Sequence, residues 1–363
     1  YDRIHAMRAL ADRAYKRLYE SVNYRLRTFA SGRYASFCRP VSIAILLTER
    51  CNARCVHCDI WKNKGAEPGP SVDEWRCLLD ELRDWLGPVQ IVITGGEALL
   101  RPYAVDLVAH ASSSGLFVEV LSHGYWLDQS RIEKLALANP WRVTISLDAV
   151  SDTHSKIRGR PGFFSVTMKS IETLLRLRRE KKLGYHLRLK TVVMEHNLDE
   201  VAGVARFATQ DGVHVFYQPI EQNYNTEEDP FWFEKSANWP RDTEKAVRVV
   251  EELIRLKREG LHIDNSYEQL RAMSAYFRDP AGLRIATESH TAHEGRPICS
   301  ALTMLQIQAN GDVKACASAE TIGNFRQTSI RSIWENRPHW WEQGCCMERR
   351  SAAAQLAAKA VQS

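Results

Sequence analysis

The chain alternates short apolar runs with amphipathic segments six times between residues 41 and 220, and this alternation constrains its fold most strongly. Apolar runs predict buried strands, and apolar residues spaced three and four apart predict helices. The predicted strands are Val41–Leu47, Val89–Thr94, Leu116–Leu121, Trp141–Leu147, Tyr185–Val193 and Val213–Tyr217. The predicted helices between them are Val72–Trp85, Tyr103–Ser113, Gln129–Leu137, Val166–Glu180 and Leu198–Thr209. Such strands indicate an α/β fold with a parallel sheet buried on both faces, and six units are too few for a closed eight-stranded barrel.

Polar residues stand at the carboxyl ends of these predicted strands. Parallel barrels bind their ligands at that end, so the residues predict one active site on one rim. A cysteine-rich loop follows the first strand, and Lys190 lies late in the fifth. The other polar or glycine positions at strand ends are Thr94, Gly95, Gly96, Glu97, Ser122, His123, Gly124, Ser146, Asp148, Thr191 and Gln218.

The loop after the first strand carries Cys51, Cys55 and Cys58 in a C-x3-C-x2-C run. Iron–sulfur clusters of the [4Fe–4S] type normally take four cysteines. Three thiolates would hold three irons and leave the fourth iron free to bind a ligand. The alternatives are buried structural thiols, or a zinc site that His57 would complete only by crowding Cys58.

Composition narrows the class of protein. A hydrophobic content of 44%, a charged content of 26% and a net charge of +5 are ordinary for a globular protein. The basic residues are spread along the sequence and do not form a block, so nucleic-acid binding is not indicated. No apolar run approaches the length of a membrane span. Nine cysteines in 363 residues fit metal ligation in a reducing cytoplasm better than a disulfide scaffold, so we expect a cytoplasmic location.

The N-terminal segment from residue 4 to residue 29 has the periodicity of one amphipathic helix. Its apolar positions are Ile4, Met7, Leu10, Leu18, Val22, Leu26 and Phe29, with arginines and lysines between them. A helix packed on the body of the protein is the expected structure. Contact with a membrane surface or a partner is the alternative that its basic amphipathic pattern leaves open.

The cysteine loop, followed one βα unit later by Gly95-Gly96-Glu97, resembles the radical S-adenosylmethionine (SAM) superfamily. The resemblance covers most of the chain and implies a partial (β/α)6 TIM barrel. It also implies that the open iron binds the amino and carboxylate groups of SAM. Reductive cleavage of SAM then gives a 5′-deoxyadenosyl radical that abstracts a substrate hydrogen. His57 departs from the aromatic residue usual at its position, and Ala98 from the proline that often follows the motif.

The resemblance also implies a SAM site. Gly95 and Gly96 would let the backbone approach the methionine part of SAM, because a side chain would fill that space. Glu97 would contact SAM or orient the loop. The remaining predicted cofactor-binding residues are Ser122, Ser146, Asp148, Arg158 and Gln218.

Several of these residues have alternative roles. Ser146 and Asp148 would contact the ribose or carboxylate of SAM, or cap the following helix. Arg158 would fork onto the SAM carboxylate, with Arg188 as a competitor. His123 stands where many relatives carry asparagine. It would contact substrate, act in proton transfer or be a structural histidine.

The C-terminal third resembles the SPASM/twitch extension of the same superfamily. Cys299 precedes the hairpin sequence Gly311–Cys316, a Gly323-Asn324 turn follows, and the pair Cys345 and Cys346 closes the segment. The resemblance implies one auxiliary [4Fe–4S] cluster held by Cys299, Cys316 and Cys345, with Cys346 as the uncertain fourth ligand. Incidental thiols are the alternative.

Five segments are predicted. They are an N-terminal helix (1–40), the partial barrel (41–220), an insertion with linking helices (221–295), the auxiliary-cluster domain (296–350) and a tail (351–363). The leading functional hypothesis is a radical SAM enzyme acting on a small molecule or peptide, with an external electron donor such as flavodoxin or ferredoxin. The competing hypothesis is a non-catalytic iron–sulfur redox relay or a metal-stabilised binding protein, which needs neither an open iron nor Gly95-Gly96-Glu97.

Replacing Cys51, Cys55 and Cys58 together with alanine should remove about four irons, the content of one [4Fe–4S] cluster, and end SAM cleavage. Iron assay and chromatography of 5′-deoxyadenosine measure the two effects. SAM cleavage that survives in the triple variant would contradict the assignment of the loop.

Overall fold

The computed structural model describes residues 2–29, 35–63, 69–227, 229, 231–280, 302–315 and 320–338. Six parallel strands form the centre of its sheet. They are β1 (Ser42–Leu46), β2 (Gln90–Thr94), β3 (Phe117–Ser122), β4 (Arg142–Ser146), β5 (His186–Val193) and β6 (His214–Pro219). Each of the six predicted strands is present within one or two residues of its expected bounds, and together with their helices they form the predicted partial (β/α)6 barrel.

Helices connect the strands and continue after the sixth. In chain order they are α1 (Asp2–Phe29), α2 (Val72–Leu86), α3 (Ala104–Ser113), α4 (Ser130–Leu137), α5 (Thr153–Arg158), α6 (Phe163–Glu180), α7 (Val201–Gln210), α8 (Trp232–Lys235), α9 (Thr243–Arg258) and α10 (Tyr267–Arg278). Ser71 begins α2 with a reciprocal capping box to Glu74. The short α5 was not among the predicted helices; it lies directly after the end of β4.

The C-terminal segment extends the same sheet. Strand β7 (Met304–Ile307) pairs in parallel with β1, and β8 (Asp312–Lys314) and β9 (Thr321–Asn324) follow in antiparallel order. Helix α11 (Ile330–Glu335) ends the described chain. The sheet order is therefore β6-β5-β4-β3-β2-β1-β7-β8-β9, in which the C-terminal hairpin is added at the β1 edge.

The two faces of the parallel sheet differ in chemistry. The helix-facing side chains are apolar and almost fully buried, among them Ile43, Ile45, Ile91, Ile93, Val118, Val120, Val143, Ile145, Leu187 and Leu189. Alternate residues face the inside of the barrel, because successive side chains of a strand point to opposite faces. That inner face carries polar residues. The apolar contact between the outer face and the helices therefore stabilises the fold.

Helix α1 packs at the amino ends of the strands, opposite the predicted site. The Tyr15 and Tyr19 hydroxyls donate to the carbonyls of Leu86 and Pro40 at 2.9 and 2.8 Å. The Lys16 ammonium lies 5.2 Å from the centre of the Trp141 ring. On the outer side Leu18 is 66% exposed. Within the described residues, no helix has the length and apolarity that a membrane crossing needs.

A buried charge network fills the inside of the barrel. Glu119 is 2% exposed and accepts hydrogen bonds from Thr144 Oγ1 at 2.6 Å and Gln90 Nε2 at 3.1 Å. Arg188 pairs with one of its carboxylate oxygens, and Arg142 lies 3.5 Å from the other. The single carboxylate therefore neutralises part of the positive charge of two arginines.

Glu119→Ala should lower the free energy of unfolding by about 3–5 kcal/mol, because it leaves two largely buried guanidinium groups without a counter-charge. Glu133→Ala is the matched control. Glu133 is half exposed and pairs with Arg176 at 3.5 Å, so its loss should cost about 1 kcal/mol or less. Urea titration of the reconstituted protein measures both, and equal losses would contradict the network's role.

Candidate active site

The three cysteines lie together in the loop that leaves β1. Cys55 is 8% exposed, and Cys51 and Cys58 are half-buried. All three contact a small apolar cluster that contains Phe163 and Tyr125. The loop itself has little regular structure, so its position depends on the elements around it.

The end of β2 holds the first part of this loop. The amides of Gly96 and Glu97 donate to the carbonyls of Thr48 and Arg50 at 2.7 and 2.9 Å. A Cβ added at Gly95 would lie 2.3 Å from the Thr48 carbonyl oxygen, and one at Gly96 would lie 2.4 Å from that of Arg50. The two glycines therefore make room for the cysteine loop. This steric reason stands beside the predicted one, in which their missing side chains make room for SAM.

The end of α5 holds the middle of the loop. The amides of Arg54 and Val56 donate to the carbonyls of Arg158 and Ile157 at 3.0 and 2.9 Å. Gly159 follows with φ of +70°, and a Cβ there would lie 2.1 Å from the Arg54 carbonyl oxygen. Glycine is required at this position both by the backbone conformation and by the close approach.

The segment after β6 holds the last part of the loop. The Asn223 and Asn238 side-chain amides both donate to the Val56 carbonyl, at 3.2 and 2.9 Å. The Asp59 amide donates to the carbonyl of Tyr224 at 3.3 Å. The predicted insertion therefore reaches back to the cysteines across more than 160 positions of sequence.

His123 connects the loop to the end of β3. Its Nδ1 accepts from the Tyr125 amide at 2.9 Å, so the ring proton lies on Nε2, which donates to Asn52 Oδ1 at 2.7 Å. Burial, with the nearby charge of Arg158, lowers the pKa of His123 to about 3. Both ring nitrogens of the neutral histidine are bonded within the protein, which fits the structural role among its predicted alternatives.

Glu97 ties the ends of β2 and β3 together and is 1% exposed. Its carboxylate accepts from the amides of Leu99 and His123 and from the Ser122 hydroxyl, at 3.0 to 3.1 Å. Burial raises the pKa of Glu97 to about 7, against these hydrogen bonds. The side chains of Glu97 and Ser122 are thus bonded within the protein, which fits the orienting role of Glu97.

Asp148 and Arg158 bind each other beneath Cys55. Arg158 Nε and Nη2 both lie 2.7 Å from Asp148 Oδ2, and Nη1 lies 3.6 Å from the Cys55 sulfur. Although burial opposes ionisation, the Arg158 charge holds the pKa of Asp148 well below its usual range. The guanidinium fork expected for the SAM carboxylate is directed at Asp148, and the competitor Arg188 is bound to Glu119.

Two other predicted residues face the inside of the barrel. Ser146, at the end of β4, and Gln218, near the end of β6, are half-buried. Within the described ranges neither side chain forms a hydrogen bond. Lys190 lies opposite Ser146 in the register of β4 and β5. Within the described ranges Lys190 also forms no side-chain hydrogen bond, so these three polar side chains are available to a ligand.

The thiols suit a cluster better than a single ion. Burial raises the pKa of Cys51 to about 12, with Glu97 and the other two thiols adding to the effect, so metal binding must displace the protons. Among the described residues, no three His, Cys, Asp or Glu side chains converge on one ion. A [4Fe–4S] cluster places each thiolate on its own iron, and the donor set therefore fits it.

The predicted auxiliary ligands Cys299, Cys316, Cys345 and Cys346 lie outside the described residues. Sequence analysis missed three side chains that fix the cysteine loop, namely Asn52 within the loop and Asn223 and Asn238 after β6. These asparagines carry no spacing or periodicity in the sequence, so only the fold reveals their partners.

Two family models match the chain. The model of the radical SAM superfamily matches residues 45–208, and that of an iron–sulfur cluster-binding domain named SPASM matches residues 299–351. Together they span more than half of the chain. The first match contains the cysteine loop and β2 to β5.

Named relatives and solved structures agree with these models. The AdoMet-dependent heme synthase of Methanosarcina barkeri is 28% identical over 82% of this chain and 82% of its own length. The sporulation killing factor maturation protein SkfB of Bacillus subtilis is 31% identical over 49% of this chain and 42% of its own. The structure of Streptococcus suis SuiB bound to S-adenosylmethionine superposes with a TM-score of 0.63 at 14% identity, covering 85% of this chain and 71% of that one, which shows a common fold.

Gly96→Ala should displace the cysteine loop and so remove bound iron, because its new Cβ meets the backbone of Arg50. We expect a loss of about four irons, measured after anaerobic reconstitution. Gly184→Ala is the control, since a Cβ there meets nothing within 4 Å. Full iron content with weakened SAM affinity would show instead that Gly96 keeps space for the ligand.

Proposed function

The chain belongs to the radical SAM superfamily and carries a C-terminal SPASM-type domain, and from this premise we propose which residues serve its cofactors and what it modifies. It is an enzyme that reductively cleaves SAM and abstracts a hydrogen atom from its substrate, which sets aside the alternative of a non-catalytic relay. Its cofactors are a SAM-binding [4Fe–4S] cluster, SAM itself and auxiliary iron–sulfur chemistry in the SPASM domain.

We propose that Cys51, Cys55 and Cys58 hold the SAM-binding cluster. The observation that carries this assignment is one short loop with one buried and two half-buried thiols, fastened by backbone hydrogen bonds at both ends and in the middle. When bound, the cluster supplies one electron and an open coordination position to SAM. The protein contributes a rigid, water-poor setting for both cofactors.

The SAM site is proposed at the rim above β2 to β6. Ser146 and Gln218 would bind SAM directly, since their side chains face the barrel mouth without another partner in the described structure. Gly95, Gly96, Glu97 and Ser122 would act mainly by placing the cysteine loop and the end of β3. Asp148 and Arg158 would fix α5 beneath Cys55.

We propose a peptide as the substrate. SkfB is named as the maturation protein of a sporulation killing factor, and the PqqA peptide cyclase of Xanthomonas campestris matches 82% of this chain at 25% identity. A small tetrapyrrole is the second candidate, because the heme synthase of Methanosarcina barkeri aligns with most of both chains. Peptides deuterated at their side chains should transfer deuterium to 5′-deoxyadenosine. Transfer from a deuterated iron porphyrin alone would favour the second candidate.

Reductive cleavage consumes one electron for each SAM, so the proposal requires an external donor such as flavodoxin or ferredoxin. We also infer that the enzyme works in the cytoplasm, since thiolate-held clusters suit a reducing compartment. Contact of α1 with a membrane surface has no place in this proposal.

The auxiliary cluster is proposed to be held by Cys299, Cys316 and Cys345, with Cys346 as a fourth candidate, and to accept the substrate electron or bind the substrate. Replacing Cys299 and Cys316 with alanine should lower iron content by about four while SAM is still cleaved. Conversion of substrate should stop, as followed by mass spectrometry. Full turnover in this double variant would show that the auxiliary cluster is absent or only structural.

A further inference from the structure

Lys190 lies on the inner side of the barrel, near the carboxyl end of β5. The neighbouring residues Leu187, Leu189 and Val193 of the same strand are buried against the helices. Because side chains alternate along a strand, Lys190 is directed to the opposite face. In the register of the sheet it lies between Ser146 of β4 and Phe216 of β6.

The Glu119 carboxylate below Lys190 is already paired with other cations. Arg188, two positions earlier on the same face, binds Glu119, and Thr144 and Gln90 complete the hydrogen bonds of that carboxylate. Arg142 also faces Glu119. The floor of the barrel thus has two arginines for one carboxylate and offers no counter-charge to a further cation.

The cysteine loop lies at the end of the sheet toward which Lys190 stands. The loop leaves the carboxyl end of β1, and Lys190 lies near the carboxyl end of β5, so both stand at the same end of the parallel sheet. The Nδ1 atom of His57 is buried and has no hydrogen-bond partner within the described structure. Arg158 is bound to Asp148. Lys190 therefore lies above the network around Glu119, toward the end of the sheet that also carries the cysteine loop.

Lys190 is half-buried, and within the described ranges its ammonium forms no hydrogen bond and no ion pair. Burial lowers the pKa of Lys190 most, and the charge of Arg188 lowers it next. Glu221 and Glu119 raise this pKa, and Arg158 lowers it. Removing an ammonium from water without a partner is costly, so a ligand that supplies the missing anion would bind favourably here.

We propose that Lys190 is a substrate-binding residue that pairs with a carboxylate of the substrate. This inference rests on the proposed function and narrows its substrate class to acidic molecules. Two sources of the carboxylate fit the two candidate substrates, an acidic side chain of a peptide and a carboxylate side chain of a tetrapyrrole. SAM fits this position less well, because its sulfonium carries the same sign of charge as the ammonium.

The first measurement separates substrate from SAM. Lys190→Met keeps the unbranched chain and removes the charge, and Lys156→Met, at an exposed position of α5, is the matched control. Titration of SAM against the reduced cluster, followed by electron paramagnetic resonance, should give affinities within about twofold of wild type for both variants. A loss of about tenfold or more in Lys190→Met alone, the size expected for a hydrogen bond to a charged group, would overturn the proposal and make Lys190 a SAM ligand.

The second measurement identifies the carboxylate. One arm compares a capped peptide that contains glutamate with the same peptide containing glutamine. The other compares iron coproporphyrin III with its tetramethyl ester. Binding to the reconstituted enzyme is followed by calorimetry and by the porphyrin absorption band.

In one arm the free acid should bind wild type and the Lys156→Met control about tenfold or more tightly than its neutral partner, and Lys190→Met should lose that preference. A preference for the acid in the peptide arm identifies a peptide carboxylate as the partner of Lys190, and a preference in the porphyrin arm identifies a tetrapyrrole carboxylate. If no acid is preferred in either arm, or if Lys190→Met keeps the preference, the proposal is wrong. SAM cleavage by wild type in the same preparation shows separately whether the proposed function holds.

Discussion

The backbone hydrogen bonds that fasten the cysteine loop are the interaction on which the rest of the site depends. Three thiols in eight residues can serve one cluster only if their backbone is fixed, and the loop contributes little regular structure of its own. The ends of β2 and α5 supply amides and carbonyls to it, and the segment after β6 supplies two asparagine amides. Each such bond contributes about 1 kcal/mol, so the loop is fixed by several modest contacts acting together.

Glycine is the residue that makes this arrangement sterically feasible. At Gly95, Gly96 and Gly159 the carbonyl oxygens of the cysteine loop approach to within 2.1 to 2.4 Å of where a side-chain carbon would stand. The motif Gly95-Gly96-Glu97 is therefore explained in this protein by contact between two backbone segments. The carboxylate of Glu97 also positions backbone, since it accepts hydrogen bonds from Ser122 and His123 at the end of β3.

Different residues of the barrel strands stabilise the fold and are available for binding. Apolar side chains face the helices and stabilise the sheet, while the inner face carries a closed network around Glu119. Above that network, Ser146, Lys190 and Gln218 remain without side-chain bonds in the described residues. These three side chains lie toward the carboxyl ends of β4, β5 and β6, at the end of the sheet where the cysteine loop leaves β1.

Much of this organisation was predictable from the sequence, because it depends on local patterns. Periodicity gave the six strands and five of the connecting helices, and cysteine spacing gave the loop. The partners of Val56 were not predictable, since Asn238 is 182 positions away and nothing in its neighbourhood indicates a contact. The Arg158 guanidinium was predicted to bind the SAM carboxylate, because the sequence does not indicate that Asp148 is its partner. Only the packing of α5 shows that Asp148 is close enough to take it.

The central claim is that three thiolates of one loop leave an iron that binds SAM. Electron–nuclear double resonance on the reduced enzyme, with SAM labelled by ¹⁵N at its amino group, tests this claim most directly. The account predicts a ¹⁵N coupling to the cluster that disappears when unlabelled SAM replaces the labelled form. A reduced cluster that shows no ¹⁵N coupling at saturating SAM would contradict it.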